Sequence, residues 1–142
     1  MMLIKHLTYF LLSATAALVL SLGAASADVD KLNMLGSDRS FPRVWRAYPD
    51  MDASFERPGI KRSLGLVRSI AIGDSQQKLV RAIGQPVSAY EDGSWNFNIA
   101  LPWPQRHRLV CQYRVYFDAD KRVKGSIWRR PQCVNLVTGK SE

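Results

Sequence analysis

Histidine and cysteine are scarce in this sequence, which has two of each among its 142 residues. A protein zinc site takes three or four ligands from nitrogen, sulfur and carboxylate groups. His6 belongs to an N-terminal apolar segment, so His107 would be the one histidine left for such a site. No nucleophile-elbow motif, zinc-protease motif or phosphate-binding glycine loop is present. These absences predict a protein with no metal site, no cofactor and no enzymatic activity.

Long hydrophobic runs are missing except near the N-terminus, where residues 7–22 are uncharged and rich in Leu, Ala and Val. These 16 residues fall short of the roughly 20 that span a bilayer. Lys5 precedes them, and an Ala-Ser-Ala sequence at 25–27 supplies the small residues that a signal peptidase accepts. The pattern predicts a secretory signal over residues 1–27 that is cleaved before Asp28. The alternative is an uncleaved membrane anchor.

The predicted cleavage region also lacks a cysteine that could receive a lipid, so a lipoprotein is not expected. The mature chain has the size of one domain. We expect it to be a soluble periplasmic protein, with a peripheral position at the outer membrane as a further option.

Acidic residues are outnumbered, with 12 Asp and Glu against 20 Lys and Arg and a formal net charge of +8. Loss of the signal, which contains one lysine and no acidic residue, would lower this charge to +7. Most of the basic residues are arginines, whose planar guanidinium group matches carboxylates and phosphates. The balance predicts an anionic partner, either an acidic face of an envelope protein or anionic lipid or lipopolysaccharide. A surface that merely solvates the protein is the alternative, and export makes nucleic acid an unexpected partner.

Two helices are predicted in the middle of the chain. Apolar residues recur with helical spacing at positions 60, 64, 67 and 71, so a first helix is expected from Pro58 to Gly73. Ser75 or the residue before it can cap a second helix, which Gly84 and Pro86 then end.

The following residues alternate between apolar and polar, which predicts three strands over residues 95–101, 109–117 and 123–127. In this pattern Ile127 shares the apolar face, and Trp128 lies on the opposite, partly charged face. An apolar sheet face needs a cover, and the two helices are available for it. The sequence therefore predicts an α+β fold in which two short helices pack on one face of a three-stranded antiparallel sheet (ααβββ).

The expected domain organisation has four parts. The signal at 1–27 is followed by an irregular arm at 28–57, which prolines interrupt and which we expect to lie over the domain. The domain itself occupies 58–137, and a flexible tail follows at 138–142.

A set of motifs follows in a defined order along this domain: an apolar helix, a glycine-polar-serine step, a short helix ending in Ile-Gly-x-Pro, an aromatic strand and a Phe-Asp hairpin. Over residues 59–133 their order and spacing resemble the SmpA/OmlA family, also called BamE-like, of Gram-negative outer-membrane assembly. The resemblance implies the two-helix, three-strand fold and a binding role, although many members carry a lipidated cysteine that this chain lacks. It gives structural roles to five residues: Gly73, Ser75, Gly84, Pro86 and Trp95.

Cys111 and Cys133 are predicted to form a disulfide, since an exported chain with two cysteines most simply forms one bridge. A metal or redox pair is the alternative, but the separation of 22 residues is not a Cys-x-x-Cys spacing. Some members of the resembled family also have a cysteine in each of the last two strands. In a regular hairpin Cys133 would lie a few residues beyond Cys111, so we expect the chain to fold back at Pro131.

A candidate partner-binding surface lies between the first two predicted strands. Trp103 stands there between two prolines, with Arg106 and Arg108 close behind it. Trp and Arg carry much of the binding energy of protein interfaces. The alternative is that Trp103 folds back as a lid on the core. A second basic cluster, with Arg122 and Lys124, lies on the last strand.

The function expected from these features is that of a periplasmic, non-enzymatic binding module. It would assist assembly or maintenance of the outer membrane through contacts with envelope proteins, as the SmpA/OmlA resemblance implies. One alternative is a periplasmic inhibitor or chaperone-like protein on the same fold. Another is a binder of anionic lipid or lipopolysaccharide through arginine clusters.

Overall fold

The structure, a computed structural model, describes residues 31–42 and 58–140. The predicted signal with its cleavage site, much of the predicted arm and the last two residues lie outside these ranges. The elements are β1 (Met34–Leu35), a 3-10 turn (Asp38–Ser40), β2 (Ile60–Lys61), α1 (Leu64–Arg68), α2 (Gln76–Ile83), β3 (Ser88–Ala89), β4 (Trp95–Pro102), β5 (Arg108–Phe117), β6 (Val123–Trp128) and α3 (Pro131–Thr138).

All six described strands belong to one mixed sheet in the order β1-β6-β5-β4-β2, with β3 also paired to β4. Strands β4, β5 and β6 are antiparallel, whereas β1 is parallel to β6 and β2 is parallel to β4. The predicted architecture is therefore wrong: the chain is α+β with a six-stranded mixed sheet and three helices, not three antiparallel strands with two helices. The additional strands have two residues each, too few for a readable period.

The predicted first helix, Pro58 to Gly73, is wrong at both ends: its first half forms strand β2, and α1 ends at Arg68, five residues before Gly73. Ile60 pairs with Ile99 of β4, and the Arg62 N–H donates to the Ala100 carbonyl at 3.2 Å. The backbone N–H and C=O groups along the edge of β4 need hydrogen-bond partners. This requirement outweighs the helical spacing of the apolar side chains in the predicted helix. Helix α1 begins after Ser63, whose Oγ accepts from the Leu66 N–H at 3.3 Å.

The second helix begins and ends as its local sequence predicts. The Ser75 Oγ caps α2 by accepting from the Lys78 N–H at 3.1 Å. Gly84 follows the last helical residue with φ 89°, a conformation that disfavours residues with a Cβ. Its N–H donates to the Val80 carbonyl at 2.8 Å and closes the helix.

A β-bulge reverses the predicted faces at the end of β6. The pairing of β5 with β6 shifts beside Tyr116, where Lys124 is an additional residue. Trp128 consequently lies on the helix side, fully buried, and its ring stacks on Tyr113 with centroids 4.0 Å apart. Ile127 lies on the opposite face. The prediction that Trp128 belongs to the charged face was wrong, because one inserted residue exchanges the two faces of a strand.

The core lies between the helices and one face of the sheet. All three helices and the three long strands contribute buried apolar side chains to it. The most buried members are Val67, Leu79, Ile83, Phe97, Ile99, Leu101, Tyr113, Val115, Val123 and Trp128.

The predicted disulfide is present and joins β5 to α3. Cys111 and Cys133 are both fully buried, with an S–S distance of 2.06 Å and Cα atoms 6.0 Å apart. The chain turns back at Pro131 as expected, and it does so as the first residue of α3, a helix that the sequence analysis missed.

Residues 31–42 extend the sheet beyond β6 and then cover part of its opposite face. Strand β1 pairs with β6, and the Gly36 N–H donates to the Trp128 carbonyl at 2.8 Å. The Trp128 indole N–H donates to the Asn33 Oδ1 at 2.9 Å on the helix side. On the opposite face Phe41 is 2% exposed and lies near Ile127. Both faces of the central strands therefore have buried residues: Phe97 and Tyr113 on the helix side, and Asn96, Gln112 and Arg114 on the other.

Candidate functional site

The strongest candidate surface is the tip of the β4–β5 hairpin, residues 102–108, which we call the hairpin tip. All seven residues are exposed, and Trp103 leaves 39% of its surface accessible. The Trp103 N–H donates to the His107 carbonyl at 2.9 Å, and the His107 N–H donates to the Pro104 carbonyl at 3.3 Å. The backbone of the tip is thus closed by hydrogen bonds at the end of an eight-residue ladder. Trp103 is not part of the buried core.

The charges around the hairpin tip are all positive. No Asp or Glu occurs within residues 58–73 or 93–117. Lys61, exposed on β2, pairs with Ala100 only two residues before the tip begins. Arg106 and Arg108 form no ion pair within 31–42 and 58–140.

Most other arginines of the described chain have partners within the molecule. The Arg68 Nε donates to the carbonyl of Val137 at 2.7 Å, the Arg62 Nε donates to the carbonyl of Ala82, and Arg129 pairs with Asp38. These intramolecular contacts give Arg62, Arg68 and Arg129 structural roles. They leave the guanidinium groups of the hairpin tip available to a partner.

The second predicted basic cluster lies at the other end of the sheet. Arg122 and Lys124 follow the β5–β6 turn, and the Arg122 Nη1 donates to the Gly73 carbonyl at 3.0 Å. Strand β5 runs from Arg108 to Phe117, so about 30 Å separates the two clusters at roughly 3.3 Å per residue. The structure therefore does not bring the five candidate partner-binding residues together into one surface.

The residues of the family-like motif have structural contacts. The Gly73 N–H donates to the Val123 carbonyl at 2.7 Å, and a Cβ on Gly84 would lie 2.6 Å from the Ile60 Cδ1. Pro86 leads into β3, whereas Trp95 is half-buried with its ring edge-on to Phe117 at 5.0 Å. Together with the Ser75 cap, these contacts position helices and strands.

Sequence reasoning missed a buried arginine on the sheet face that residues 31–42 cover. Arg114 is 8% exposed, and its Nη2 lies 2.9 Å from the Asp92 Oδ2. Its Nε donates to the Ser94 Oγ at 2.7 Å and its Nη1 to the Ser40 carbonyl at 2.6 Å. The guanidinium carbon also lies 3.9 Å from the centroid of the Tyr90 ring, within cation–π distance. Arg114 thereby links the N-terminal segment, the β3–β4 turn and β5.

The environment of Asp92 favours its ionised form. Burial alone would raise the pKa of this carboxyl, but hydrogen bonds from Ser94 and the charge of Arg114 outweigh it and hold the pKa below the ordinary value. An open cleft of about 370 Å³ lies beside the pair, lined by Pro42, Ala89, Tyr90, Glu91, Asp92 and Arg114. Arg114 alternates with core residues along β5, and this pattern alone does not indicate that its face of the sheet is covered. The one sequence signal of a cover was the apolar Phe41-Pro42 in the arm.

Two properties of the described residues concern membranes and metals. No helix within residues 31–42 and 58–140 has the length and apolarity to cross a bilayer. Across the same residues, no cluster of three or more His, Cys, Asp or Glu side chains is arranged to hold a metal ion.

Comparison of the chain with protein-family models and with curated proteins found no match.

Proposed function

We propose that this chain is exported to the periplasm and acts there as a non-enzymatic binding module of the cell envelope. It would be of the same kind as the SmpA/OmlA (BamE-like) proteins it resembles, and would assist outer-membrane assembly or maintenance through protein contacts. The observation that carries the proposal is the hairpin tip, where an exposed Trp103 stands beside Arg106 and Arg108.

The composition and rigidity of the hairpin tip support a binding role. Trp and Arg are enriched among the residues that dominate interface energies. Two prolines and two backbone hydrogen bonds restrain Trp103, so little conformational entropy is lost when a partner covers its ring. An exposed tryptophan that is held in place on the same loop as two arginines suits contact with a partner better than contact with water.

The order of the long elements is the one that the SmpA/OmlA resemblance implies, although the sheet has three further strands and a third helix follows it. Helices α1 and α2 precede β4, β5 and β6; Gly84 closes α2, and Gly73 lies in the connection between the two helices. The region that resembles SmpA/OmlA proteins therefore contains α1, α2 and the three long strands, and the hairpin tip projects from the end of β4 and β5.

Binding of anionic lipid or lipopolysaccharide is the alternative, favoured by the absence of acidic residues around the hairpin tip. Salt separates the two functions. Binding to an anionic surface through arginines alone is lost at high ionic strength, whereas a protein contact keeps the share of its affinity that comes from burial of the Trp103 ring.

Photo-crosslinking in the native cell tests the proposal. A photoreactive phenylalanine analogue at position 103 is expected to capture envelope proteins. The same analogue at position 87 is the control, because Val87 is 53% exposed but lies beside Asn96, about 20 Å along β4 from the tip. Adducts with proteins at 103 and not at 87 would support the proposal. Equal adducts at both positions, none at 103, or adducts with lipopolysaccharide alone would contradict it.

A further inference from the structure

The turn at the end of the hairpin tip has an unfavourable sequence for its conformation. Gln105 and Arg106 both have φ 61°, and the His107 N–H donates to the Pro104 carbonyl. Positive φ at both central residues is the geometry of type I′ turns, which strongly prefer Asn-Gly. A side chain in this conformation places its Cβ close to the carbonyl oxygen and destabilises the fold.

Most other described residues with positive φ are of types that tolerate this backbone conformation. Among the described residues, Gly73, Gly84, Gly93 and Gly139 have positive φ, and so does Asn33. The remaining case is Lys121, in the β5–β6 turn, with φ 59°. Glycine at position 106 would suit the turn better, so folding does not account for the arginine there.

A binding role accounts for an arginine at this position. Arg106 is a central residue of the turn and Arg108 opens β5, so both arginines are exposed on the same short loop as Trp103. Neither forms an ion pair in the described part of the chain. Planar guanidinium groups form paired hydrogen bonds with carboxylates, and the adjacent indole ring provides apolar contact area.

We propose that the hairpin tip is the docking site for an acidic, partly apolar segment of an envelope protein, and that Arg106 is the residue that selects its carboxylates. This inference rests on the proposed function and specifies the chemistry of its partner. A protein segment suits the tip better than a membrane does. The tip offers one large apolar side chain, Trp103, and no Leu, Ile, Val, Met or Phe, whereas surface-bound helices and loops insert several such residues.

The test compares Arg106→Gly with Lys121→Gly. Each variant removes one cation and replaces a residue that has positive φ, so both are expected to raise the melting temperature by roughly 4 °C. The variants differ in position, because Lys121 lies in the turn at the opposite end of β5. Their effects on binding therefore separate a local role of Arg106 from a general effect of charge.

Binding is measured by fluorescence anisotropy with a labelled peptide of alternating glutamate and leucine. The same peptide with glutamine in place of glutamate serves as the uncharged control, and vesicles of anionic phospholipid serve as the membrane probe. We expect the glutamate peptide to bind the native protein and to shift the NMR signal of the Trp103 indole. Arg106→Gly should weaken this binding roughly fivefold or more, and Lys121→Gly should change it less than about twofold.

Three results would overturn the inference. They are equal binding of the glutamate and glutamine peptides, equal effects of the two substitutions, and an Arg106-dependent attachment to vesicles without peptide binding. Each leaves the crosslinking test at position 103 open, because a partner protein without an acidic segment would still be captured there. Failure of this inference and failure of the proposed function are therefore distinguishable.

Discussion

Arg114 and Asp92 form an ion pair, with 2.9 Å between Nη2 and Oδ2, on the sheet face that residues 31–42 cover. The arginine side chain is 10% exposed and the aspartate 27%. Removing one member of such a pair is more harmful than removing both, because the remaining charge lies in a medium that solvates it poorly.

Asp92→Asn is therefore expected to lower the free energy of unfolding by about 2 kcal/mol or more, as measured by urea titration. Adding Arg114→Leu to this variant should restore part of the loss, since no unpaired charge remains. A double variant that is less stable than Asp92→Asn would show that Arg114 contributes mainly through its contacts with Tyr90 and Ser40.

The same pair predicts a dependence of stability on pH. The pKa of Asp92 is lower in the folded protein than its ordinary value of 3.8. Its contribution to stability is then fully present above pH 3.8 and is lost as the pH falls through the lower, folded value. Chemical unfolding at a series of acidic pH values should show this loss in the native protein and a weaker slope in Asp92→Asn. Identical slopes would contradict the role of Asp92.

The disulfide is expected to provide a large share of the stability. Closing a loop between residues 22 apart stabilises a fold by about 3 kcal/mol in the chain-entropy account. Replacing Cys111 and Cys133 together by alanine should lower the free energy of unfolding by about that amount. Labelling of the unreduced, denatured protein should find no free thiol, and two labelled cysteines would refute the bridge in the native molecule.

The two tryptophans of the hairpin tip and the core are expected to respond differently to truncation. Trp103→Ala should lower stability by less than about 1 kcal/mol, because the ring is 39% exposed, and should weaken partner binding by about 2 kcal/mol. Trp128→Ala should lower stability by about 4 kcal/mol, because the side chain is fully buried. Thermal melts decide this, and a large loss in Trp103→Ala would assign that ring to the core.

Two glycines with positive φ, Gly73 between α1 and α2 and Gly84 at the end of α2, are expected to differ in their tolerance of a methyl group. Both have φ near 90°, but a Cβ on Gly73 would meet nothing within 4 Å, whereas one on Gly84 would meet the Ile60 Cδ1 at 2.6 Å. Gly84→Ala should therefore destabilise the protein more than Gly73→Ala, which should lose about 1 kcal/mol. Combining Gly84→Ala with Ile60→Val removes the contacting carbon, and a favourable coupling of about 0.5 kcal/mol or more is expected in urea titrations.

Export predicts a processed chain. The Ala-Ser-Ala sequence at 25–27 after a short apolar run is expected to be cleaved, so the intact mass of the periplasmic protein should correspond to a chain that begins at Asp28. A full-length species in the inner membrane would favour the anchor instead.

Local sequence patterns were sufficient for several features of the fold. The cap at Ser75 and the glycine at 84 bound α2, since both act through contacts within one helical turn. Strands β4 and β5 show a regular alternation, and the cysteine count in an exported chain predicts the bridge between Cys111 and Cys133. The sequence showed that two prolines restrain Trp103 but left open whether its ring is exposed or covers the core, and the structure leaves 39% of it accessible.

Long-range pairing set the remaining features. Ile60 has helical spacing to its neighbours but forms a strand, because the edge of β4 supplies hydrogen-bond partners. One additional residue at Lys124 places Trp128 in the core, and no property of Lys124 itself signals a bulge. Arg114 is buried because a segment more than 70 residues earlier covers its face, where the Ser40 carbonyl accepts a hydrogen bond from the Arg114 Nη1. A local pattern records which side chains share a face, whereas the energy of a buried face depends on what the rest of the chain places against it.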